Sequence, residues 1–483
     1  MAGAIDGLKP PLFWKYFAEI SRIPRGSKNE RAISNYIVAT ARKLGLECEQ
    51  DQALNVVVRK PASPAHERAA GVCLQSHLDM VCEKLPAKQH DFLKDPITLV
   101  RKGDVLTADG TTLGADNGAG VASCLAAMED KSLVHGPLEL LFTVDEETGL
   151  TGANNLQPGF VKSRVLLNLD SEEEGELYVG CSGGMDTVGV WKLERDEPPA
   201  NSVGLEVKVA GLRGGHSGLE IDKGRANAIK IANRVVMKLA ESGGRLARFD
   251  GGSKRNAIPS YATVLVFVPK AKLAEATAAV AAMHETLRTE FVIGEPDLQI
   301  AATQPKGRAK VFKKSLQKKL SQVIAGLPHG VIKMSAEISW LVETSTNVAV
   351  IATGRNGVTL MTSQRSSVAS EILEIAYGVQ AVMELGGAMV SHSDGYPGWK
   401  PNLGSPILKT AKQVYKDLYG KVPEAKACHA GLECGIIGDK YPGMDMVSLG
   451  PTMAAVHSPE ERIYVETVPK YWDYLVAILR RLS

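Results

Sequence analysis

The chain has 483 residues, enough for roughly three domains at the usual size of about 150 residues each. Its 44% hydrophobic and 23% charged content is that of an ordinary globular protein with ample core, and a net charge of +2 excludes a strong electrostatic pull toward polyanions, so no nucleic-acid partner is expected. Seven scattered cysteines (Cys48, Cys73, Cys82, Cys124, Cys181, Cys428 and Cys434) without CxxC spacing exclude a disulfide framework and point to a reducing cytoplasm. The opening MAGAIDGLKPPLFW shows no basic segment followed by an apolar one, and no run approaches the ~18 apolar residues of a membrane helix, so neither secretion nor membrane association is expected.

In chain order, 11–20 reads as a first short helix. Ser27 and Glu30 read as a capping box for a second helix, in which Ile33, Tyr36, Ile37, Ala41 and Leu44 recur at helical spacing. A strand at 54–58 precedes an apolar run at 72–74 that leads into Gln75, Ser76, His77, Leu78 and Asp79. The runs 97–100 and 105–107, around Lys102, Gly103 and Asp104, predict a hairpin. TTLGADNGAG at 111–120 is a glycine-rich turn opening a helix over 121–128, with Asp116 just before or at its first turn. The run 138–144 predicts a buried strand, and it ends abruptly in Asp145, Glu146 and Glu147. Another apolar strand at 165–169 is followed at once by Asp170. Three strands therefore finish in ionisable groups, and in an open, mostly parallel α/β sheet that edge is where ligands bind.

From about 187 the character changes. Strands at 203–209 and 261–268 flank a helix at 223–239; a helix at 273–287, strands at 347–353 and 358–362 and a helix at 366–385 follow, with few candidate catalytic acids. The lysine-rich stretch 308–320 reads as a solvated helix face. From about 390 the α/β pattern returns, with a helix at 405–419, a strand at 444–449, the loop GPTMAAVHSPEERI holding His457, and a closing helix over 471–482. The expected fold is α/β: a discontinuous domain with a mixed, mostly parallel sheet in 1–186 and 390–483, interrupted by an inserted α+β domain at 187–389.

Carboxylates gathered in one place repel each other unless a cation neutralises them. His77, Asp116, Glu147, Asp170 and His457 form an imidazole and carboxylate set suited to zinc, manganese or cobalt rather than to a thiolate site. With two divalent ions the formal charges close at zero: four positive from metal, three negative from carboxylates and one from a hydroxide. A bridging carboxylate between ions about 3.5 to 4 Å apart uses the whole set. Asp79 is placed to hold the other nitrogen of His77. Glu146 is then free to act as general base, although adjacency alone does not say which of Glu146 and Glu147 is base and which is ligand.

These segments resemble the co-catalytic zinc metallopeptidases that include aminoacylase and carnosinase. The resemblance rests on SHLDMV at 76–81, GADNGAG at 114–120, DEETGLTGA at 145–153, NLDSEEEGE at 168–176, GGHSG at 214–218 and AVHSPEE at 455–461, and it spans nearly the whole chain. It implies that His77, Asp116 and Asp170 bind one Zn2+ and that Asp116, Glu147 and His457 bind the other, with Mn2+ or Co2+ as substitutes. It also implies that Asp79 and Glu146 act in catalysis and that the inserted domain is a lid. By the same resemblance His216 stabilises the oxyanion, Asn256 assists it, Arg365 clamps the substrate's free carboxylate, and Gly431 and Leu432 line the site through backbone groups. His429, Glu433 and His392 are weaker candidates. Glu220 and Asp222 read as surface charge and helix cap, and Glu172 to Glu174 as a solvated bend.

The implied activity is hydrolysis of unblocked dipeptides, Xaa-His included, by a cytoplasmic monomer or homodimer. The competing readings are an N-acyl amino acid deacylase or tripeptidase of the same family, and a non-catalytic metal-binding protein of the same fold. Gly114, Gly118 and Gly120 form neither a dinucleotide fingerprint nor a Walker loop, so nucleotide binding is disfavoured.

Overall fold

A computed structural model describes residues 3–483. The chain divides into two compact units: Met1–Gly180 with Trp399–Ala427 and Leu432–Ser483, and Cys181–Gly398 with Cys428–Gly431.

The first unit is built on an eight-stranded mixed sheet. Its spatial order is Glu47–Gln50, Val56–Lys60, Leu138–Thr143, Val72–His77, Val165–Asn168, Asp445–Ser448, Glu176–Cys181, Glu424–Cys428. The four strands from Leu138–Thr143 to Asp445–Ser448 run parallel. Their neighbours Val56–Lys60 and Glu176–Cys181 are antiparallel to them. Every residue of Val72–His77 and Leu138–Thr143 is buried, as expected of parallel strands covered on both faces, which is why their sequences show runs rather than alternation. His77 is level with Thr143, and Gln75 with Asn168, so these strands end together.

Phe13, Phe17, Leu74, Leu140, Phe142 and Leu475 are among the side chains that form this unit's core. The Ala115–Glu129 helix is almost wholly buried and rich in small residues. The reason is close approach: a Cβ on Gly120 would lie 2.8 Å from the Leu169 carbonyl oxygen and 2.9 Å from Ser76 Cβ.

The second unit repeats one βαββαβ motif. One copy comprises Ser202–Ala210, helix Ala228–Glu241, Arg245–Gly251, Ala262–Pro269, helix Leu273–Glu290 and Gln299–Thr303. The other comprises Gly183–Lys192, helix Lys314–Gly326, Val342–Thr353, Gly357–Ser366, helix Ala369–Leu385 and Met389–His392, so the first copy is inserted after the other's opening strand. In each copy the strands lie in the order fourth, first, third, second, and the copies join along their second strands to make one sheet. The helices of both copies contribute to one core, with Val235, Val280, Leu320 and Val379 packed among strand residues such as Val266 and Leu360. The lysines at 313, 314, 318 and 319 are exposed, while Leu316, Leu320, Val323 and Ile324 on the same segment are buried.

At two helix starts the polar contacts differ from those the sequence predicts. The helix expected from 223 starts at Ala228, because Asn227 accepts hydrogen bonds from the Ile229 and Lys230 amides and so caps it. Ser27 and Glu30 do not form a capping box. The helix Arg31–Lys43 begins without a side-chain cap; Ser27 Oγ donates to Asp79 at 2.8 Å, and Glu30 accepts the Lys28 and Asp145 amides. Among the described residues no helix is long and apolar enough to cross a membrane.

Because Leu140 is fully buried in a central parallel strand, Leu140→Ala should destabilise the chain by about 2–5 kcal/mol. Guanidinium unfolding checks this, and a midpoint unchanged from the parent contradicts the core assignment.

Candidate active site

The first unit brings His77, Asp116, Glu147, Asp170 and His457 together. His77 is the last residue of its strand, and its Nε2 lies 3.1 Å from Asp116 Oδ1 and 3.3 Å from Asp170 Oδ1. The other oxygen of Asp116, Oδ2, lies 3.0 Å from His457 Nε2, which is also 3.0 Å from Glu147 Oε1. Asp116 thus turns one oxygen to each histidine, and each histidine meets one further carboxylate. Two three-residue groups result, His77 with Asp116 and Asp170, and Asp116 with Glu147 and His457, each with donor atoms within 4.8 Å of one another.

This donor set fits divalent cations. It contains imidazole nitrogens and carboxylate oxygens and no thiolate. Glu147 Oε1 is buried and makes no aligned hydrogen bond despite its short approach to His457, which is how ligand atoms converge on an ion rather than on each other. The electrostatics agree. Burial draws His77 and His457 down, but the surrounding carboxylates more than offset it, holding His77 well above the usual imidazole range and His457 at about 11. Burial raises Asp116, but its contacts with His457 and His77 hold it far below the usual carboxylate range. These imidazoles attract positive charge at Nε2, the place where a cation would act instead of a proton.

Asp79 and the short helix Glu146–Gly149 form one assembly. Asp79 accepts the Glu146 amide at 3.0 Å and the Glu147 amide at 3.2 Å, and its Oδ1 lies 3.3 Å from His77 Nδ1. One buried carboxylate therefore faces the imidazole of His77 and holds the turn that carries the paired glutamates. Burial raises the Glu146 carboxyl well above the usual range, His77 opposes this, and Asp170, Glu147 and Glu433 add to it. Asn117 donates to Asp170 and to the Leu169 carbonyl, fixing the end of that strand.

The second unit holds His216, Asn256, Arg365 and Gly431. His216 Nδ1 accepts the Gly218 and Leu219 amides at 3.2 and 3.1 Å, so the ring proton resides on Nε2. Burial and the Arg365 cation lower His216 to about 4, with Glu220 opposing. His216 is therefore a neutral donor through Nε2 near neutral pH. Asn256 is exposed, and its carbonyl accepts the Ser217 amide at 2.9 Å. Arg365 is 6% exposed; its Nη1 donates to Tyr396 Oη at 2.9 Å, and its Nε has no hydrogen-bond partner among the described residues. Gly431 lies against the Tyr396 ring, which a Cβ would approach to 3.0 Å. His429 is buried with its Nε2 2.7 Å from Ser345 Oγ. His392 lies between Thr187 Oγ1 at 3.0 Å and Gln380 Oε1 at 2.8 Å.

Leu432 and Glu433 belong to the first unit. Glu433 is fully buried, accepts hydrogen bonds from Gln75 Nε2 at 2.7 Å and Thr143 Oγ1 at 2.6 Å, and is raised by burial to about 7. The expectations for Glu220 and for Glu172 to Glu174 differ from the structure. Glu220 is not merely surface charge: it accepts the His216 amide at 2.8 Å and pairs with Arg225. Glu172 is not on a freely solvated bend, since burial, with Asp116 and Asp170 nearby, pushes its carboxyl up to about 8. Glu174 accepts the Tyr415 hydroxyl at 2.9 Å. Glu461, inside AVHSPEE, went unnoticed; it is 2% exposed and takes four backbone amides.

Residues 73–481 match peptidase family M20/M25/M40, and the chain belongs to that family. It is 39% identical over 480 residues to the cytosol non-specific dipeptidase of Escherichia coli K12, covering 99% of each chain. Its fold is similar to that of the aminoacylhistidine dipeptidase of Vibrio alginolyticus, with a TM-score of 0.89 and 42% identity over 99% of this chain and 98% of the other. The aminopeptidase PepT of Bacillus cereus shares the fold at a TM-score of 0.57 and 18% identity, over 98% of this chain and 99% of the other.

Adding Zn2+ to the metal-free protein should raise its melting temperature, the stabilisation reaching about 2.7 kcal/mol at 100 times Kd for one site. Asp116→Ala, which removes the oxygens shared by both groups, should abolish most of that gain in a thermal-shift titration; a full gain in the variant contradicts the shared ligand.

Proposed function

We propose that this chain is a two-metal dipeptidase that hydrolyses unblocked dipeptides, aminoacyl-histidine substrates included. The observation that carries the reading is Asp116, whose two carboxylate oxygens each face a separate histidine and carboxylate pair in the first unit. The 39% identity to a dipeptidase over 99% of both chains supports the substrate class, and so does the similarity to the aminoacylhistidine dipeptidase structure.

His77, Asp116 and Asp170 would hold one ion, and Asp116, Glu147 and His457 the other; zinc suits the set, with manganese or cobalt as substitutes. When bound, such ions lower the pKa of water toward neutrality and polarise a carbonyl. In our reading Glu146 takes the proton of the attacking water on its carboxylate and delivers it to the amine nitrogen as the C–N bond breaks. Asp79 keeps His77 and the Glu146–Glu147 turn oriented through the contacts described above. His216 presents its Nε2 proton to the developing oxyanion, a role that requires the neutral tautomer its Nδ1 contacts enforce. Asn256 assists it, Arg365 binds the dipeptide's free carboxylate through its planar fork, and Gly431 and Leu432 contribute backbone groups. The second unit is the lid in this reading. A cytoplasmic location suits the free cysteines and the dipeptide substrate.

Three experiments test the reading. Glu146→Gln should lower kcat by about 100-fold or more on an Ala-His dipeptide while elemental analysis still finds the parent's metal content. Near-normal turnover removes Glu146 as the base. The parent should also prefer that dipeptide over a tripeptide and an N-acetyl amino acid, and a preference for either of the latter moves the chain to tripeptidase or deacylase. Third, Arg365→Ala should raise KM for a dipeptide about tenfold or more while affecting its C-terminal amide little. Equal losses on both contradict the clamp.

A further inference from the structure

Glu461 is a buried acid with no part in the reaction described above, yet its carboxylate makes four hydrogen bonds. Oε2 accepts the Leu113 and Gly114 amides at 2.7 and 2.9 Å, and Oε1 accepts the Ala115 and Asp116 amides at 2.7 and 3.3 Å. A single side chain thus binds four consecutive amides of the turn that ends in Asp116. Amides that converge in this way form a nest for an anion, and here the anion comes from 345 residues further along the chain.

Both partners of this contact are anchored. Glu461 precedes the strand Arg462–Tyr464, which pairs with Val105–Ala108, and its carbonyl accepts Thr107 Oγ1 at 2.7 Å. On the other side Arg25, 3% exposed, donates through Nη2 to the Gly114 carbonyl at 2.5 Å and through Nη1 to the Leu78 and Asp79 carbonyls at 3.0 Å each. The Gly114–Asp116 turn is therefore held between a buried carboxylate and a buried guanidinium, and the guanidinium also reaches the segment just beyond His77.

Glu461 is joined to His457 by a tight turn. Its amide donates to the Ser458 carbonyl at 3.0 Å, and Ser458 Oγ donates to the Ala455 carbonyl at 2.7 Å. His457 itself is the least anchored member of the cluster: its side chain is 47% exposed and its φ is 62°. The path from His457 through Ser458 and Glu461 to the Asp116 amide is thus a short, hydrogen-bonded link between two side chains that meet at 3.0 Å.

We propose that Glu461 is a positioning residue that sets the spacing of Asp116 and His457, so that the ion held by Asp116, Glu147 and His457 binds tightly only with this carboxylate in place. The proposal rests on the ligand assignment made under Proposed function. Glu461→Gln keeps the side chain's size but replaces one acceptor by an NH2 group facing two amide donors. That conflict pushes the turn away from the 457–461 segment.

The test is zinc binding to the metal-free full-length chain by chelator competition, with near-ultraviolet circular dichroism to monitor folding. The parent should bind two ions. Glu461→Gln should bind the ion of Asp116, Glu147 and His457 about 10- to 100-fold more weakly, and the other, which shares Asp116 but keeps His77 and Asp170, by a clearly smaller factor. Glu460→Gln, an exposed neighbour, should match the parent for both. The proposal is overturned if both affinities of Glu461→Gln stay within about twofold of the parent's, or if both fall equally together with the melting temperature of the metal-free chain, which marks general loosening. A parent that binds fewer than two ions fails the ligand assignment itself. If Glu461→Gln does not fold, Glu461→Asp, whose carboxylate is one carbon too short to span the four amides, carries the same expectation and the same reversals; if neither folds, Glu461 is a residue of stability and the positioning role is withdrawn.

Discussion

Mutual repulsion of carboxylates is the constraint around which the first unit is arranged. Asp79, Asp116, Glu146, Glu147 and Asp170 cluster past the ends of three parallel strands and the start of one helix, where burial makes each negative charge costly. The protein answers each charge separately. Asp79 takes two backbone amides and faces His77; Asp116 lies between His77 and His457; Asp170 takes the Asn117 amide group; Glu147 meets His457. Glu146 is left with the least compensation, and burial raises it accordingly. Burial also raises Glu147 and Asp170, against the pull of the histidines they face, so Asp116, between both imidazoles, is the carboxylate held furthest down.

The parallel strands make the clustering possible. Because Val72–His77, Leu138–Thr143 and Val165–Asn168 are in register and end together, whatever follows each strand arrives at the same edge. The burial that gives these strands their apolar sequences also stiffens the platform from which His77 and the Glu146–Glu147 turn project. Glu433 adds a buried polar link beneath them through Gln75 and Thr143.

The second unit solves a different problem with a repeated motif. Two βαββαβ copies share one sheet and one helix-covered core. The side chains it contributes to the proposed reaction are an imidazole kept neutral and an arginine kept mostly out of water. His216 owes its tautomer to two amides of its own glycine-rich loop, and its low pKa to burial and to Arg365. Arg365 is buried and donates through Nη1 to Tyr396 Oη, and its Nε has no hydrogen-bond partner among the described residues.

The sequence alone was sufficient for the α/β pattern, for the strand ends that carry His77, Glu146, Glu147 and Asp170, and for the family, because runs of apolar residues and short motifs are local signals. The nested repeat was not legible, since its two copies are interleaved along the chain and share no visible motif. Nor was the support of the site. Ser27 and Glu30 have the spacing of a capping box, and Glu461 looks like one more charge in a loop, yet Ser27 serves Asp79, Glu30 the Asp145 amide and Glu461 the amides of 113–116. A side chain's identity says what it can bond to, but a buried carboxylate takes whichever amides the fold brings within reach, and contacts made across 345 residues are set only when strands and helices have packed.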